Sequence, residues 1–590
     1  MMSSSHKNRI TMEENLDWTE KIKLSEVRDP LQLAVFRFPD QRFLPGITTL
    51  TLRIRYYTFL TWAWNQIKER KEDKKKILDL EKILALVSIQ HHENNDAPIG
   101  ILPRDVTKEF LSQNSQIDLD KFTSFAIDNK KGRGDAQYGG PLDTLGIKWW
   151  KKENMELVIS PAGKEISRIF SGHVENFEDK IWSKTLTKSE LGEMSDLCCC
   201  RDSIPTEEQN FWKNVFFGLT KLEKDNALEI DDGKQLGIID ADKLPFGKIN
   251  ISEDDFIAQL EDGDSEFFDD DIKSDNQEVH LENEMRKATL FLLLEIIKNS
   301  KPESGKKLYQ TIRDSIYYSE FQVEDKISQI NFNQQLVSYR KHWEVYAHNQ
   351  YYVTIFEKTL SIILDISKHH PSGIEIDGLV RKIDSKEFLD SISKNLRFQI
   401  SDSDNVQTVY EKLGGKLGDK KTTLSSYVNE HDILENIQNT TDQTETLGLI
   451  FVLFLLCKYR YFSFDEKALR MNNAIEHNKH YNISPKTRYG EFSKIQVTKF
   501  PEELLRFVIN RYRTVSAQKL ASNGTKVWLF TVDYDVLSFN DQPKKFNEEV
   551  YRDQKWYYVL EIMNDLGLVQ KNNKNWEITP EGEKWLKKIQ

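Results

Sequence analysis

Apolar residues at the C-terminal end of the chain recur with the period of a helix. The stripe runs through Trp556, Val559, Leu560, Met563 and Leu566. Such spacing predicts an amphipathic helix with one buried face. Gly567 follows the stripe, at the place where a helix commonly ends in a left-handed residue. The pattern therefore predicts a helix that ends at this glycine and packs against a core.

A β-hairpin and a final helix are predicted after this glycine. Trp576 and Ile578 alternate with polar neighbours, as the residues of a half-buried strand do. The four residues 571–574 have the composition of a turn between two short strands. Thr579 suits the N-cap, and Pro580 suits the first position, of the helix that closes the chain.

The same order of elements is predicted far upstream, over Gly139–Phe170. Leu145-Gly146-Ile147 there matches Leu566-Gly567-Leu568, and Ser160-Pro161-Ala162-Gly163 matches Thr579-Pro580-Glu581-Gly582. Both segments are typical of the wing half of a winged helix, a module that binds nucleic acid or other proteins and rarely catalyses reactions. The alternative is a plain helix–hairpin–helix packing unit.

The wider pattern predicts a mainly α, multidomain helical protein with two winged-helix modules that carry small β-wings. From Glu253 to Asp275 there are eleven acidic residues and one lysine, a density that favours a linker or insertion over a packed domain. The predicted segments are a disordered N-terminus (1–15), an N-terminal helical domain that closes with the upstream winged-helix segment (16–172), a helical segment (173–230), the acidic linker or insertion (231–282), a central helical domain (283–400), a loop-rich connector (401–444), a core helix with loops (445–500) and a C-terminal winged-helix domain (501–590).

The charge balance restricts how this protein contacts nucleic acid. The chain has 82 basic and 94 acidic residues, a formal net charge of −12. Phosphate binding needs positive charge, so DNA contact must use a local patch or a basic partner. The candidate nucleic-acid-binding residues cluster at the C-terminal wing, at the upstream wing and beside the N-terminal aromatic residues. They are Lys571, Lys574, Lys584, Lys587 and Lys588; Lys148, Lys151 and Lys152; and Arg42, Arg53 and Arg55.

Cysteine usage and hydropathy favour a cytoplasmic protein with no cofactor, no metal and no membrane association. The four cysteines are Cys198, Cys199, Cys200 and Cys457, which form neither a disulfide framework nor a Cys-x-x-Cys zinc motif. Two of the three adjacent cysteines are expected to be buried as small apolar groups. The N-terminus lacks the apolar core of a signal peptide. The longest apolar run, Leu447–Cys457, is too short to cross a bilayer and predicts a buried helix.

Two nuclease patterns offer alternatives to the non-catalytic interpretation. Arg340 and His348 resemble the Arg-then-His pair that helical ribonucleases direct at the scissile phosphate, although their separation is longer than that pattern requires. Asp/Glu-x-Lys triplets occur by chance in so charged a chain and do not by themselves indicate a restriction-type core, and a diverged core stays open as an alternative. The paired histidines His91-His92 and His369-His370 are expected to be surface or turn residues.

Several motifs resemble an uncharacterised family of bacterial proteins from antiphage defence gene clusters. They are Leu16-Asp17-Trp18, the Leu-Pro-Gly-x-Thr-Thr turn and the Arg-x-Arg-Tyr-Tyr sequence within Phe43–Trp64, the Tyr138–Gly163 segment and the Phe211–Gly218 segment. The resemblance implies a cytoplasmic subunit of a multi-gene defence system, often encoded near helicase-like or ATPase genes. It carries over no catalytic residue, and the acidic insertion is not a feature associated with the family.

The leading hypothesis is a non-catalytic, DNA-associated or scaffolding subunit of a multi-protein antiphage complex. Its expected partners are a helicase-like or SMC-type ATPase, a nuclease and double-stranded DNA. The alternatives are a kleisin-like subunit that bridges an SMC-type ATPase, for which the acidic stretch would be the flexible middle, and a diverged nuclease effector.

Overall fold

Helices dominate the protein, as the periodicity predicts. The computed structural model describes residues 30–31, 33, 43–48, 52–92, 103–125, 133–150, 156–217, 276–324, 326–418, 421–464, 468–469, 484–523, 529–533, 535–539 and 555–589. The predicted disordered N-terminus and the acidic stretch Glu253–Asp275 lie outside these residues. The described α-helices are α1 (Ile54–Arg70), α2 (Lys76–His91), α3 (Arg104–Gln113), α4 (Arg133–Thr144), α5 (Pro161–Val174), α6 (Glu178–Ile181), α7 (Lys188–Glu193), α8 (Thr206–Phe217), α9 (Asn276–Ser300), α10 (Lys306–Tyr318), α11 (Val337–Lys368), α12 (Ile376–Val380), α13 (Ser385–Leu396), α14 (Val406–Leu417), α15 (Glu430–Asn439), α16 (Gln443–Tyr461), α17 (Pro485–Phe492), α18 (Phe500–Asn523), α19 (Trp556–Asp565) and α20 (Pro580–Leu586).

The described strands form small antiparallel sheets. They are β1 (Gln116–Asp118), β2 (Lys148–Trp150), β3 (Leu157–Ile159), β4 (Thr185–Thr187), β5 (Glu320–Val323), β6 (Lys326–Gln329), β7 (Ile374–Glu375), β8 (Phe530–Asp533), β9 (Val536–Phe539), β10 (Val569–Asn572) and β11 (Asn575–Ile578). Pairs β1–β4, β2–β3, β5–β6 and β10–β11 are two-stranded, and β7-β9-β8 is a three-stranded sheet. None of these sheets is large enough to hold a core, so helix packing must do so.

Two hydrophobic cores organise the described residues. The first core collects apolar side chains from α1 to α10, the beginning of α11, and α19 and α20. The second core collects those from the end of α10, the rest of α11, α12 to α18 and the β7-β9-β8 sheet. Helix α11 joins them: Trp343 and Tyr346 belong to the first core, whereas Tyr351 and the following apolar residues belong to the second. At 32 residues, this helix is about 48 Å long.

These cores divide the chain differently from the predicted domains. The predicted segment 501–590 contributes to both cores, because α18 and its hairpin pack in the second core and α19–α20 pack in the first. The predicted central domain 283–400 is likewise shared between both cores. The predicted loop-rich connector 401–444 contains helices α14 and α15, whose N-caps Asn405 and Asn429 accept hydrogen bonds from Thr408 N and Asp432 N.

The predicted buried helix Leu447–Cys457 is confirmed. It lies within α16, and every residue of that run is buried in the second core. Its apolar character therefore serves packing between helices. No helix among the described residues has both the length and the apolar composition to span a membrane.

The two predicted helix–hairpin–helix units share their local hydrogen bonds. Gly146 and Gly567 adopt φ values of 60° and 73°, so each preceding helix ends in a left-handed residue. Ser160 Oγ accepts from Gly163 N at 3.0 Å, and Thr579 Oγ1 accepts from Gly582 N at 3.1 Å. The structure thus confirms the order of helix, hairpin and helix in both copies.

The C-terminal unit docks onto the first core through both polar and aromatic contacts. The Asn575–Ile578 strand meets the loop before α10, where Trp576 N donates to Pro302 O at 3.0 Å. The ring of Trp556 lies 4.4 Å from that of Trp343, centroid to centroid, and that of Trp585 lies 4.7 Å from Phe217. The C-terminal unit and the N-terminal helices therefore share the first core.

Candidate nucleic-acid interface

A basic cleft lies beside the upstream hairpin. Its volume is about 260 Å³, and it lies between the C-terminal end of α1, the turn that follows, and the β2–β3 strands. Its lining residues are Trp64, Ile67, Lys68, Lys71, Glu72, Lys74, Trp150, Glu156 and Leu157. Three lysines face two glutamates in this set, so the cleft carries net positive charge in an acidic protein. Local positive charge of this kind is what phosphate binding requires.

An aromatic ring and a backbone carbonyl hold two of the three lysines of this cleft in place. The rings of Trp64 and Trp150 meet edge to face at 5.2 Å. The ammonium of Lys74 lies 4.6 Å from the centroid of Trp150. Lys68 Nζ donates to Leu157 O at 3.1 Å, which ties α1 to strand β3. Cation–π and backbone contacts reduce the freedom that these lysines would lose on binding an anion.

Three of the predicted basic residues lie inside the protein. Lys148 is 1% exposed, and its ammonium lies 5.3 Å from the ring of Trp64. Arg53 and Arg55 are buried in ion pairs at the start of α1. These side chains do not belong to the surface patch that the sequence predicted. Lys151, Lys152 and Arg42 lie outside the described residues.

The ion pairs of the two arginines connect distant parts of the chain. Arg53 Nη1 lies 2.7 Å from Asp565 Oδ1, and its Nη2 lies 3.1 Å from Glu561 Oε2. Arg55 Nη1 lies 2.9 Å from Glu208 Oε2, with both side chains fully buried. Burial raises the pKa of Asp565 to about 7, although the guanidinium of Arg53 opposes the shift. Only the folded chain brings these charges together, so local spacing gave no indication of their role.

The C-terminal basic residues are exposed. Lys571 and Lys574 lie on the β10–β11 hairpin, and Lys584, Lys587 and Lys588 lie on and after α20. The hairpin is also an internal contact, because the backbone carbonyl of Lys574 accepts from Ser304 N at 2.7 Å. Its backbone at this point is used for docking, while the lysine side chains face solvent.

The residues of the ribonuclease-like pattern are engaged elsewhere. Arg340 Nη1 donates to Ile316 O at 2.6 Å, and its Nη2 pairs with Glu344 at 3.2 Å. His348 is fully buried, and burial, with a smaller contribution from Arg460, lowers its pKa to about 3. A neutral, buried imidazole of this kind cannot reach a phosphate in solvent. Arg340 and His348 therefore do not form a ribonuclease site.

A histidine–cysteine cluster lies where the end of α2 meets the loop of residues 195–203. His91, His92, Cys198 and Cys200 each offer one ligand atom, and these atoms all lie within 4.8 Å of one another. Among the described residues, no other group of three or more such side chains converges in this way. A hydrogen bond from the Cys198 thiol lowers the pKa of Cys200 and raises the pKa of Cys198. The pair can therefore carry a thiolate.

The residues of this cluster stand out in the sequence as adjacent histidines and adjacent cysteines, but known zinc motifs do not include them. Cys198-x-Cys200 and the adjacent pair His91-His92 are more than a hundred residues apart, and neither fits a familiar zinc spacing. All three adjacent cysteines are buried, which extends the expectation that two of them would be.

Comparison of the chain with known protein families, curated proteins and solved structures finds no match in any of the three.

Proposed function

We propose that the protein is a non-catalytic, DNA-associated or scaffolding subunit of a multi-protein bacterial antiphage defence complex. The basic cleft beside the upstream hairpin is the observation that carries the DNA half of this proposal. The resemblance of the N-terminal motifs to a defence-associated family supports the biological setting. A helicase-like or SMC-type ATPase and a nuclease are the partners that this setting implies.

The two helix–hairpin–helix units have different roles in this proposal. We interpret both as winged-helix modules. The upstream one offers Lys68, Lys71 and Lys74 to the DNA backbone, beside the Trp150 ring. The C-terminal one devotes its hairpin backbone and tryptophans to intramolecular docking, so its main role is scaffolding. Phosphate contacts of this type position a protein without reading sequence.

Neutralising the cleft is expected to weaken duplex binding. In Lys71→Gln/Lys74→Gln, two phosphate contacts disappear, and the slope of log affinity against log salt should fall by about 2. Affinity at low salt should fall by about tenfold or more. Fluorescence anisotropy with a labelled duplex over a salt series measures both quantities.

Two matched variants locate the effect. Lys382→Gln/Lys386→Gln removes two exposed lysines on the second core and should leave affinity and slope unchanged. Lys571→Gln/Lys574→Gln tests the C-terminal hairpin and should change the slope less than the cleft variant does. Absence of duplex binding at low salt, or equal losses in all three variants, would contradict the assignment to the cleft.

The non-catalytic claim and the subunit claim have separate tests. Metal-dependent cleavage of DNA or RNA by the purified chain would overturn the first. The second predicts that the tagged full chain co-purifies with an ATPase encoded beside it. Isolation as a monomer from cells that express the whole gene cluster would contradict it.

A further inference from the structure

The local backbone explains why two adjacent histidines meet at one point. Helix α2 ends at His91, and His92 leaves the helix with φ −115° and ψ 48°. Consecutive side chains inside a helix point about 100° apart, but this change of direction brings both rings to the same side. Their centroids are 4.7 Å apart. The end of α2 therefore presents two imidazoles to the loop of residues 195–203.

The cysteines reach the same point from a loop that bends at Cys199 and Cys200. Cys198 and Cys200 have ψ values of 148° and 155°, and their sulfurs lie within 4.8 Å of each other and of the two imidazole ligand atoms. Cys199 points the other way, where Ser88 Oγ donates to its sulfur at 3.3 Å and the first core surrounds it. Cys200 Sγ lies 3.8 Å from His91 Nδ1. The chain thus separates two ligand cysteines from one core cysteine within three residues.

The cluster has the composition and size of a tetrahedral metal site. With Zn–S bonds of about 2.3 Å and Zn–N bonds of about 2.0 Å, neighbouring ligand atoms lie about 3.3–3.8 Å apart. The four atoms already lie within 4.8 Å of one another, so a contraction of about 1–1.5 Å completes that geometry. Two thiolates and two imidazoles form a ligand set that suits zinc.

We propose that His91, His92, Cys198 and Cys200 bind one structural zinc ion. All four coordination positions come from protein, which is the mark of a structural rather than a catalytic site. This assignment departs from the expectation of a metal-free chain and does not depend on DNA binding.

Surrounding groups support the ligands. The backbone N–H of Cys200 donates to Cys198 Sγ at 3.4 Å, and Ser203 Oγ lies 3.1 Å from Cys200 Sγ. Such outer contacts orient ligands and stabilise thiolate charge. His92 Nε2 is buried and has no hydrogen-bond partner. Coordination of that ring would offset the cost of burying it.

The ion would fasten the part of the first core that receives the C-terminal unit. The ligand loop supplies Ser203, whose carbonyl accepts a hydrogen bond from Arg55. It also supplies Arg201, whose Nη1 donates to Asn564 Oδ1 at 3.3 Å. A metal that joins α2 to this loop therefore stabilises the contact between the loop and α19, although the metal does not touch α19 itself.

The experiment measures metal in the full chain, purified without a metal-binding tag, by mass spectrometry. One zinc per chain is expected in the wild-type protein, and Cys200→Ser and His91→Asn should lose it. Cys199→Ser and His369→Asn are matched controls that should retain it, since Cys199 faces the core and His369 belongs to a histidine pair at the end of α11.

A cobalt titration separates loss of a ligand from loss of the fold. Wild-type protein stripped of metal should gain a thiolate-to-cobalt charge-transfer band and tetrahedral d–d bands, which zinc then removes. Cys200→Ser should lose intensity in the thiolate band while its far-ultraviolet circular dichroism is unchanged. Wild-type protein that holds no zinc and gives no thiolate–cobalt band overturns the proposal, as does equal zinc loss in Cys199→Ser and Cys200→Ser.

Discussion

Arg53→Met is expected to release the C-terminal unit from the first core. The substitution keeps the length of the side chain but leaves Glu561 and Asp565 buried without their cation. Breaking a buried ion pair in this way costs about 3–5 kcal/mol. Hydrogen exchange of the Trp556–Ile589 amides should therefore accelerate by about a hundredfold or more relative to the wild-type protein.

An exposed ion pair provides the control. Arg70 pairs with Glu178 at the end of α1, where its side chain is 40% exposed. Arg70→Met should cost less than about 1 kcal/mol, because water screens such a pair. If the Arg53 and Arg70 variants release the C-terminal unit equally, the buried pair does not hold it.

The defect of Arg53→Met should also depend on pH. The pKa of Asp565 in the folded protein is about 7, above its ordinary value of 3.8. A carboxyl with a raised pKa takes up a proton on folding. The free energy of unfolding therefore rises as the pH falls from about 7 towards 3.8, and it decreases again as the pH rises. Without Arg53 the pKa should rise further, so the urea midpoint of the variant should approach the wild-type value more closely at pH 6 than at pH 8.

Gly163→Ala and Gly582→Ala are expected to disrupt the two hairpin units. An added Cβ would lie 2.5 Å from Ile147 O in the first case and 2.1 Å from Leu568 O in the second. Since each carbonyl belongs to the backbone that leads into the hairpin, the closing helix must shift away. Overpacking of this kind costs about 1–3 kcal/mol or more, visible as a lower midpoint of thermal or urea unfolding.

Gly172 lies in the same helix as Gly163 and offers a matched control. A Cβ added at Gly172 meets nothing within 4 Å. Gly172→Ala should therefore stabilise the protein by about 0.5–1 kcal/mol, because alanine loses less conformational freedom in a helix than glycine does. Destabilisation by Gly172→Ala comparable to that by Gly163→Ala would mean that helix α5 does not tolerate any added methyl group.

The sequence pattern was enough to predict those elements whose structure depends on residues close together in the chain. The stripe from Trp556 to Leu566, the left-handed Gly567 and the caps at Thr579 and Ser160 all follow from contacts within a few residues. The apolar run of α16 likewise predicts its own burial. Periodicity and capping act over one or two turns of chain, which is the range that sequence patterns encode.

The residues of the candidate sites could be predicted only in part from local sequence patterns. The sequence indicated the lysines of the C-terminal hairpin, which are exposed, but Arg53, Arg55 and Lys148 have interior partners that residue spacing does not predict. The cleft depends on Lys71 and Lys74, which were not among the candidate residues that the sequence indicated. The histidine–cysteine cluster was missed because a helix end and a loop more than a hundred residues later supply its two halves.

The sequence by itself determined the mainly helical class and the two helix–hairpin–helix units, since amphipathic spacing and turn chemistry are local properties. Only the tertiary structure decided that the last unit packs with the first helices, that Arg53 meets Asp565, and that His91 and His92 face Cys198 and Cys200. These pairings join residues far apart in the chain. They depend on how apolar faces are buried together, and many arrangements of the same helices satisfy the same local pattern.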